Sequence, residues 1–234
     1  MDRTDSPPRE FLPALQSPKL KASQFLDYIR FSEFKRILLQ VSALLDTEKV
    51  KTVAILSAYP QEGRTFFISA MAMGYAILLK KRVLIVNTAL KVQKDSLNIR
   101  AVYDEQLQYA PVYGEWSNQP NRMIDLMSPQ MNDGGDVTDA DTVDFQIGAY
   151  ISTFKHNYDL ILIDTCALTS TAGKVIDPVV IAGQADASIL LTSEQSMNRE
   201  SLTEVKALLS QWRVRVLGSI HNVRPKVSTK KAKK

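Results

Sequence analysis

A chain of 234 residues has room for one large domain or two small ones, with a sizeable buried core. Its 45% apolar and 23% charged content is that of a soluble globular protein, and its apolar stretches fall short of a membrane-spanning helix. The formal charge of +4 is local: the last eleven residues, RPKVSTKKAKK, carry six Lys and Arg, so taking six from +4 leaves the rest at −2, which is no global footprint of nucleic-acid binding.

Residues 1–24 hold four of the ten prolines and little apolar periodicity, and read as a disordered arm. From 25 to 45, Phe34, Ile37, Leu38, Val41, Leu44 and Leu45 recur at helical spacing and predict a helix over 28–45. A β-branched strand, 50-VKTVAILS-57, comes next, then a helix from about Thr65 to Leu79 and a strand at 82–87. A third strand is predicted at 122–127, a helix over roughly 141–156 and a strand at 158–164. The chain closes with a strand at 185–192, a helix at 196–211 and a last strand at 214–223. The stretch 98–139, with Asn-Asp-Gly-Gly and Asn-Gln-Pro-Asn, is the least regular. Strands alternate with helices, and several strands are apolar without interruption, which means burial on both faces. The expected fold is α/β: a doubly wound, mostly parallel sheet flanked by helices. One domain would span 25–223, followed by the basic tail 224–234.

The single cysteine, Cys166, excludes an intrachain disulfide and a cysteine-based metal site, and it is read as a buried inert thiol. His156 and His221 lack ligand spacing, and the N-terminus lacks the layout of a secretory signal. A cytoplasmic location is therefore the expectation.

The first strand ends in Ala58-Tyr59-Pro60-Gln61-Glu62-Gly63-Arg64-Thr65, and a helix follows at once. A phosphate-binding loop, G-x-x-x-x-G-K-[ST], is built this way. Gly63 and Thr65 stand at their places; the first glycine and the lysine do not. Backbone N–H groups and the helix start do most of the work in such a loop, Gly63 keeps the approach open, and Thr65 would put a hydroxyl on Mg²⁺. Arg64 keeps the charge but is longer, flat and forked. The plainer alternative is an ordinary strand–turn–helix connection.

Further pieces follow in order: VLIVNTALK at 83–91, YDLILIDTCAL at 158–168, QADASILLTSEQSMNRESLTEV at 184–205 and VLGSIHNV at 216–223. With the loop, they make the chain resemble the cytoplasmic domain of the bacterial tyrosine kinases (BY-kinases) of capsule and exopolysaccharide synthesis, relatives of the MinD/ParA P-loop ATPases. Ser57, Pro60, Glu62, Gly63 and Thr65 match that family's first motif, S-x-x-P-G-E-G-K-[ST]. The resemblance implies a P-loop NTPase-like fold, ATP or ADP with Mg²⁺, phosphate contacts from Gly63, Arg64 and Thr65, a metal held through Thr65 and Asp164, and an adenine contact from Asn222. Asn222 reads equally as a strand-end turn residue, and Asp164 as a strand-end cap.

The same comparison shows what has changed. Where the family's second motif carries its two aspartates, this chain has Asn87 and Ala89. An amide has no proton-accepting pKa near neutrality, and a methyl orients nothing polar. The third motif keeps Asp164 but has Cys166 and Ala167 for its prolines, and no tyrosine follows Tyr158 where the family ends in a phosphoacceptor cluster. Loss of a general base alone typically costs about 10²–10⁴-fold. No residue is therefore assigned a catalytic role.

In the first helix, Glu33, Arg36 and Leu39 stand where the relatives carry E-x-x-R-x-x-R, used between subunits, with Leu39 in place of the last arginine. Glu33 and Arg36 also read as a solvated i,i+3 pair. The basic tail reads as a solubilising end, a contact to an anionic membrane surface, or a nucleic-acid contact, the last without interleaved aromatics to support it. The leading expectation is an impaired BY-kinase-like regulator that acts by contact, with a homo-oligomer compatible and with the cytoplasmic part of a polysaccharide chain-length-control membrane protein as partner. It would lie in the cytoplasm or at the inner face of the membrane. An active tyrosine kinase is the alternative. A ParA/MinD-type positioning ATPase ranks third, because Ser57-Ala58-Tyr59 lacks that group's additional lysine.

Overall fold

The computed structural model describes residues 27–88, 124–127, 143–169, 176–193 and 199–222. The expected arm at 1–24, the tail at 224–234, Ala89 and most of 98–139 lie outside them. The described elements, in chain order, are α1 (Ser32–Thr47), β1 (Thr52–Ser57), α2 (Arg64–Ile77), β2 (Val83–Asn87), β3 (Ile124–Met127), α3 (Val143–Phe154), β4 (Leu160–Asp164), α4 (Pro178–Gln184), β5 (Ala187–Ser193), α5 (Arg199–Gln211) and β6 (Val216–Asn222).

The six strands form one sheet in the order β3-β2-β4-β1-β5-β6, and every pairing is parallel. Every residue of β1, β2, β4 and β5 is buried. Period-two alternation splits these residues between two cores. Val53, Ile55, Val83, Ile85, Leu160, Leu162 and Ile189 meet α1 and α2 on one face. Ala54, Leu56, Leu84, Val86, Ile161, Ile163 and Leu190 meet α3, α4 and α5 on the other, with Ile147, Ile151, Ile181, Val205 and Leu209.

The first helix starts later than its apolar spacing predicts. Residues 27–30 form a separate helical turn, and Phe31, in extended conformation, breaks the path before Ser32. Tyr28 in that turn packs edge-on against Phe66, ring centroids 4.9 Å apart, so the lead-in is held against the start of α2. Phe34, Leu38, Val41 and Leu45 then turn one stripe of α1 inward. Gly74 lets that stripe approach α2: a Cβ there would sit 3.0 Å from Leu38 and 3.1 Å from Phe34.

The order places β4 between β1 and β2. The chain leaving β1 must therefore cross over α2 and pass β4 to reach β2, while β5 lies on β1's other side. Such a reversal opens a crevice at the carboxyl ends of the strands. Because all six strands run the same way, Ser57, Asn87, Asp164, Ser193 and Asn222 all end at this rim.

Candidate functional site

The loop between β1 and α2 is held by a buried carboxylate. Glu62, 1% exposed, accepts from Tyr59 N at 2.9 Å, from Ser193 N at 3.2 Å and from Ser193 Oγ at 2.9 Å. The loop is thereby closed on itself and tied to the end of β5. Two residues turn the backbone with positive φ, Gln61 at 63° and Gly63 at 95°. Gly63 is also tightly enclosed, since a Cβ would lie 2.5 Å from Asn222 Nδ2. That amide donates to Glu62 O at 2.9 Å, which fastens the loop to the end of β6. On the other side the chain after β4 binds the loop's entrance: Leu168 N donates to Ser57 O at 2.9 Å and Thr169 N to Ala58 O at 3.1 Å.

Arg64 opens α2, yet its side chain turns back beneath the loop and is 11% exposed. Nε donates to Thr165 O at 3.0 Å; NH1 donates to Tyr59 O at 3.2 Å and to the Ser57 hydroxyl. Nε also stands 4.0 Å from Asp164 Oδ1. Burial lowers the guanidinium's pKa, against the opposing pull of Asp164, Cys166 and Glu62, but an arginine remains charged. Burial likewise raises the Asp164 carboxyl, opposed by the Thr65 hydrogen bond and by Arg64.

Asp164 ends β4, and its Oδ2 accepts from Thr65 Oγ1 at 2.6 Å. Its Oδ1 is buried and makes no hydrogen bond among the described residues. A hydroxyl and a carboxylate side by side are the donors Mg²⁺ favours. Arg64 Nε nevertheless stands 4.0 Å from the orphan oxygen, so a metal bound there would sit beside a cation already in place, a poor fit for a second positive charge. No group of three or more His, Cys, Asp or Glu among the described residues offers another metal site.

Asn87 is the register partner of Asp164 across the β2–β4 pairing and is buried. The position expected to hold the base therefore does lie at the rim, with an amide on it. Thr88 follows and binds Asp164 O through N at 2.8 Å and Oγ1 at 2.9 Å. Cys166 is buried, its Sγ 3.8 Å from Thr88 O. Thus Gly63, Arg64, Thr65, Asn87, Asp164 and Asn222 are brought together at one rim, as their motifs predict. Glu33, Arg36 and Leu39 lie on the exposed side of α1, and among the described residues Glu33 and Arg36 form no ion pair. Sequence reasoning missed Ser193 and Thr165 as partners of the loop. Ser193 lies in the quoted stretch 184–205 but nothing there marks it as the loop's partner, whereas Thr165 adjoins the motif aspartate.

No family profile matches the chain. It is 26% identical over 220 residues to the tyrosine-protein kinase CpsD of Streptococcus pneumoniae serotype 4, covering 86% of this chain and 88% of the relative. Among solved structures it superposes on the chimerical protein CapA2B2 with a TM-score of 0.61 at 15% identity, over 88% of this chain and 92% of that one. The BceF tyrosine kinase domain gives a TM-score of 0.57 at 15% identity, over 80% and 75%. The solved structures carry the fold, and the curated relative aligns across nearly its whole length. The chain is thus similar in sequence to a tyrosine-protein kinase and shares the parallel α/β fold of a solved tyrosine kinase domain.

Proposed function

We propose that the domain is a catalytically impaired regulator of bacterial exopolysaccharide synthesis and export, which works by contact with other proteins. The single observation that supports this reading most is the state of the loop's cation. Arg64 is bound inward by Ser57, Tyr59, Thr165 and Asp164, so its charge is not presented to a terminal phosphate. Phosphoryl transfer depends on neutralising and positioning that group. Asn87 beside Asp164 adds the lack of a base. The proposed partner is the cytoplasmic part of a chain-length-control membrane protein. None of the described helices is long and apolar enough to cross a membrane; the attachment proposed is peripheral, through that partner.

Purified protein supplied with labelled ATP should transfer no phosphate to itself or to tyrosine-containing peptides. Arg64→Lys should not change this, because Asn87 still lacks basicity. In a deletion strain, Asn87→Ala should sustain polymer production nearly as well as wild type. Phosphate transfer that disappears on Asp164→Ala would show an active kinase instead, and loss of polymer with a folded, abundant Asn87→Ala protein would give the site a direct role.

A further inference from the structure

Asp164 is nearly sealed from water, its side chain 2% exposed, and one of its oxygens makes no hydrogen bond among the described residues. A carboxylate in that state takes up a proton unless a cation compensates it. Among Mg²⁺-dependent phosphate sites the metal supplies that charge. Here Arg64 Nε stands 4.0 Å from the orphan Oδ1, and three further acceptors hold the same guanidinium in place: Thr165 O, Tyr59 O and the Ser57 hydroxyl. These acceptors come from β1, from the loop and from the residue after β4, so the arginine ties three segments together beside the aspartate.

The geometry points to Arg64 as the resident counter-ion of Asp164, a built-in cation that keeps divalent metal out of the site. Metal entry would set two positive charges beside the guanidinium's one, all facing a single carboxylate. Relief requires withdrawing Arg64, which breaks its three hydrogen bonds and leaves Thr165 O to find another donor, while Tyr59 O keeps the Ser57 hydroxyl. Lysine would not substitute: an ammonium lacks the flat fork that reaches Thr165 O and Tyr59 O from one side chain. This inference rests on reading the loop as an altered kinase-like phosphate site.

The test uses the full chain and Mn²⁺ as probe, with free Mn²⁺ followed by electron paramagnetic resonance, with and without ADP. Wild type should take up none at millimolar metal. Arg64→Met keeps most of the apolar stem and removes the charge; it should gain a site about tenfold tighter or more. Adding Asp164→Asn should abolish that gain. Circular dichroism establishes that each variant is folded. Arg64→Lys serves if the methionine variant is not, and should show uptake above wild type; if neither folds, the wild-type measurement decides alone. The inference is overturned if wild type binds Mn²⁺ at a site that Asp164→Asn removes, or if a folded Arg64 variant binds no more than wild type. Such uptake without phosphate transfer would leave the contact-regulator reading standing, whereas loss of polymer production with a folded, abundant Asn87→Ala protein would count against that reading and leave this one standing.

Discussion

Glu62 spends both carboxylate oxygens on the protein's own donors: Oε2 on Tyr59 N, Oε1 on Ser193 N and Oγ. It shapes the loop from within, as Arg64 does from below. Changing it to glutamine keeps the volume but puts an NH₂ against N–H groups that need an acceptor. An unsatisfied buried polar group costs about 1–3 kcal/mol. Glu62→Gln should therefore lower the unfolding free energy by about that much, read from urea titration with an unchanged m-value. Were Glu62 an exposed loop residue, the change would fall within about ±0.5 kcal/mol. This role was only half legible in the sequence. Glu62 stands out there as a motif match, but its partner Ser193 lies 131 residues away, and no local pattern records a contact of that span. The inward turn of Arg64 was equally hidden, since Ser57, Tyr59 and Thr165 converge on it only after β1 and β4 have paired.

Between elements, packing and charge separate into testable parts. Gly74 admits Leu38 and Phe34 at 3.0 to 3.1 Å from where a Cβ would stand. Gly74→Val would force those side chains off their seats, at a cost of about 1–3 kcal/mol for overpacking, measurable as a lowered denaturation midpoint. At the opposite rim Asp186 fastens the start of β1, accepting from Lys51 N and Thr52 N at 2.9 Å each and pairing with Lys155. Burial alone would raise its pKa, but the Lys155 and backbone hydrogen bonds outweigh this and hold it below the ordinary 3.8. A depressed folded pKa means stability that is present above 3.8 and lost as pH falls through the lower folded value. The melting-temperature gap between wild type and Asp186→Asn should hence be full at neutral pH and shrink in more acidic buffer. A gap that widened on acidification would refute the assignment. Strands β1, β2, β4 and β5 were legible as apolar runs because burial on both faces leaves that mark, and all six strands were placed within a few residues. Helix α4 was not: at seven residues it spans fewer than two turns, too few for a period, although Asp177 caps it and Pro178 opens it. Strand order was silent as well, since nothing local says that β4 enters between β1 and β2.

For the molecule as a whole, the strand-end rim and the outer side of α1 divide the labour. The rim at the carboxyl ends is closed by Glu62, Arg64 and Asn222, and its charges are largely satisfied internally. The outer side of α1 is the reverse: Leu39 and the N-cap residue Phe31 are each 59% exposed, and Glu33 and Arg36 are exposed on the same helix. Single exposed apolar residues are ordinary, so this surface acquires meaning only through the contact-regulator proposal. That proposal requires a surface that can change without disturbing the fold, and Leu39 qualifies because Phe34, Leu38, Val41 and Leu45 carry the inward stripe. Leu39→Glu should leave the unfolding free energy within about 0.5 kcal/mol of wild type, as surface changes do. It should still weaken self-association or co-assembly with the membrane partner, read by sedimentation and by recovery of the protein with the membrane fraction. Leu38→Ala, one residue away but facing the core, supplies the contrast: it should cost about 2–5 kcal/mol in stability. If Leu39→Glu kept both assembly and polymer production at wild-type levels, α1 would not be the contact surface, and the search would move to the loop rim.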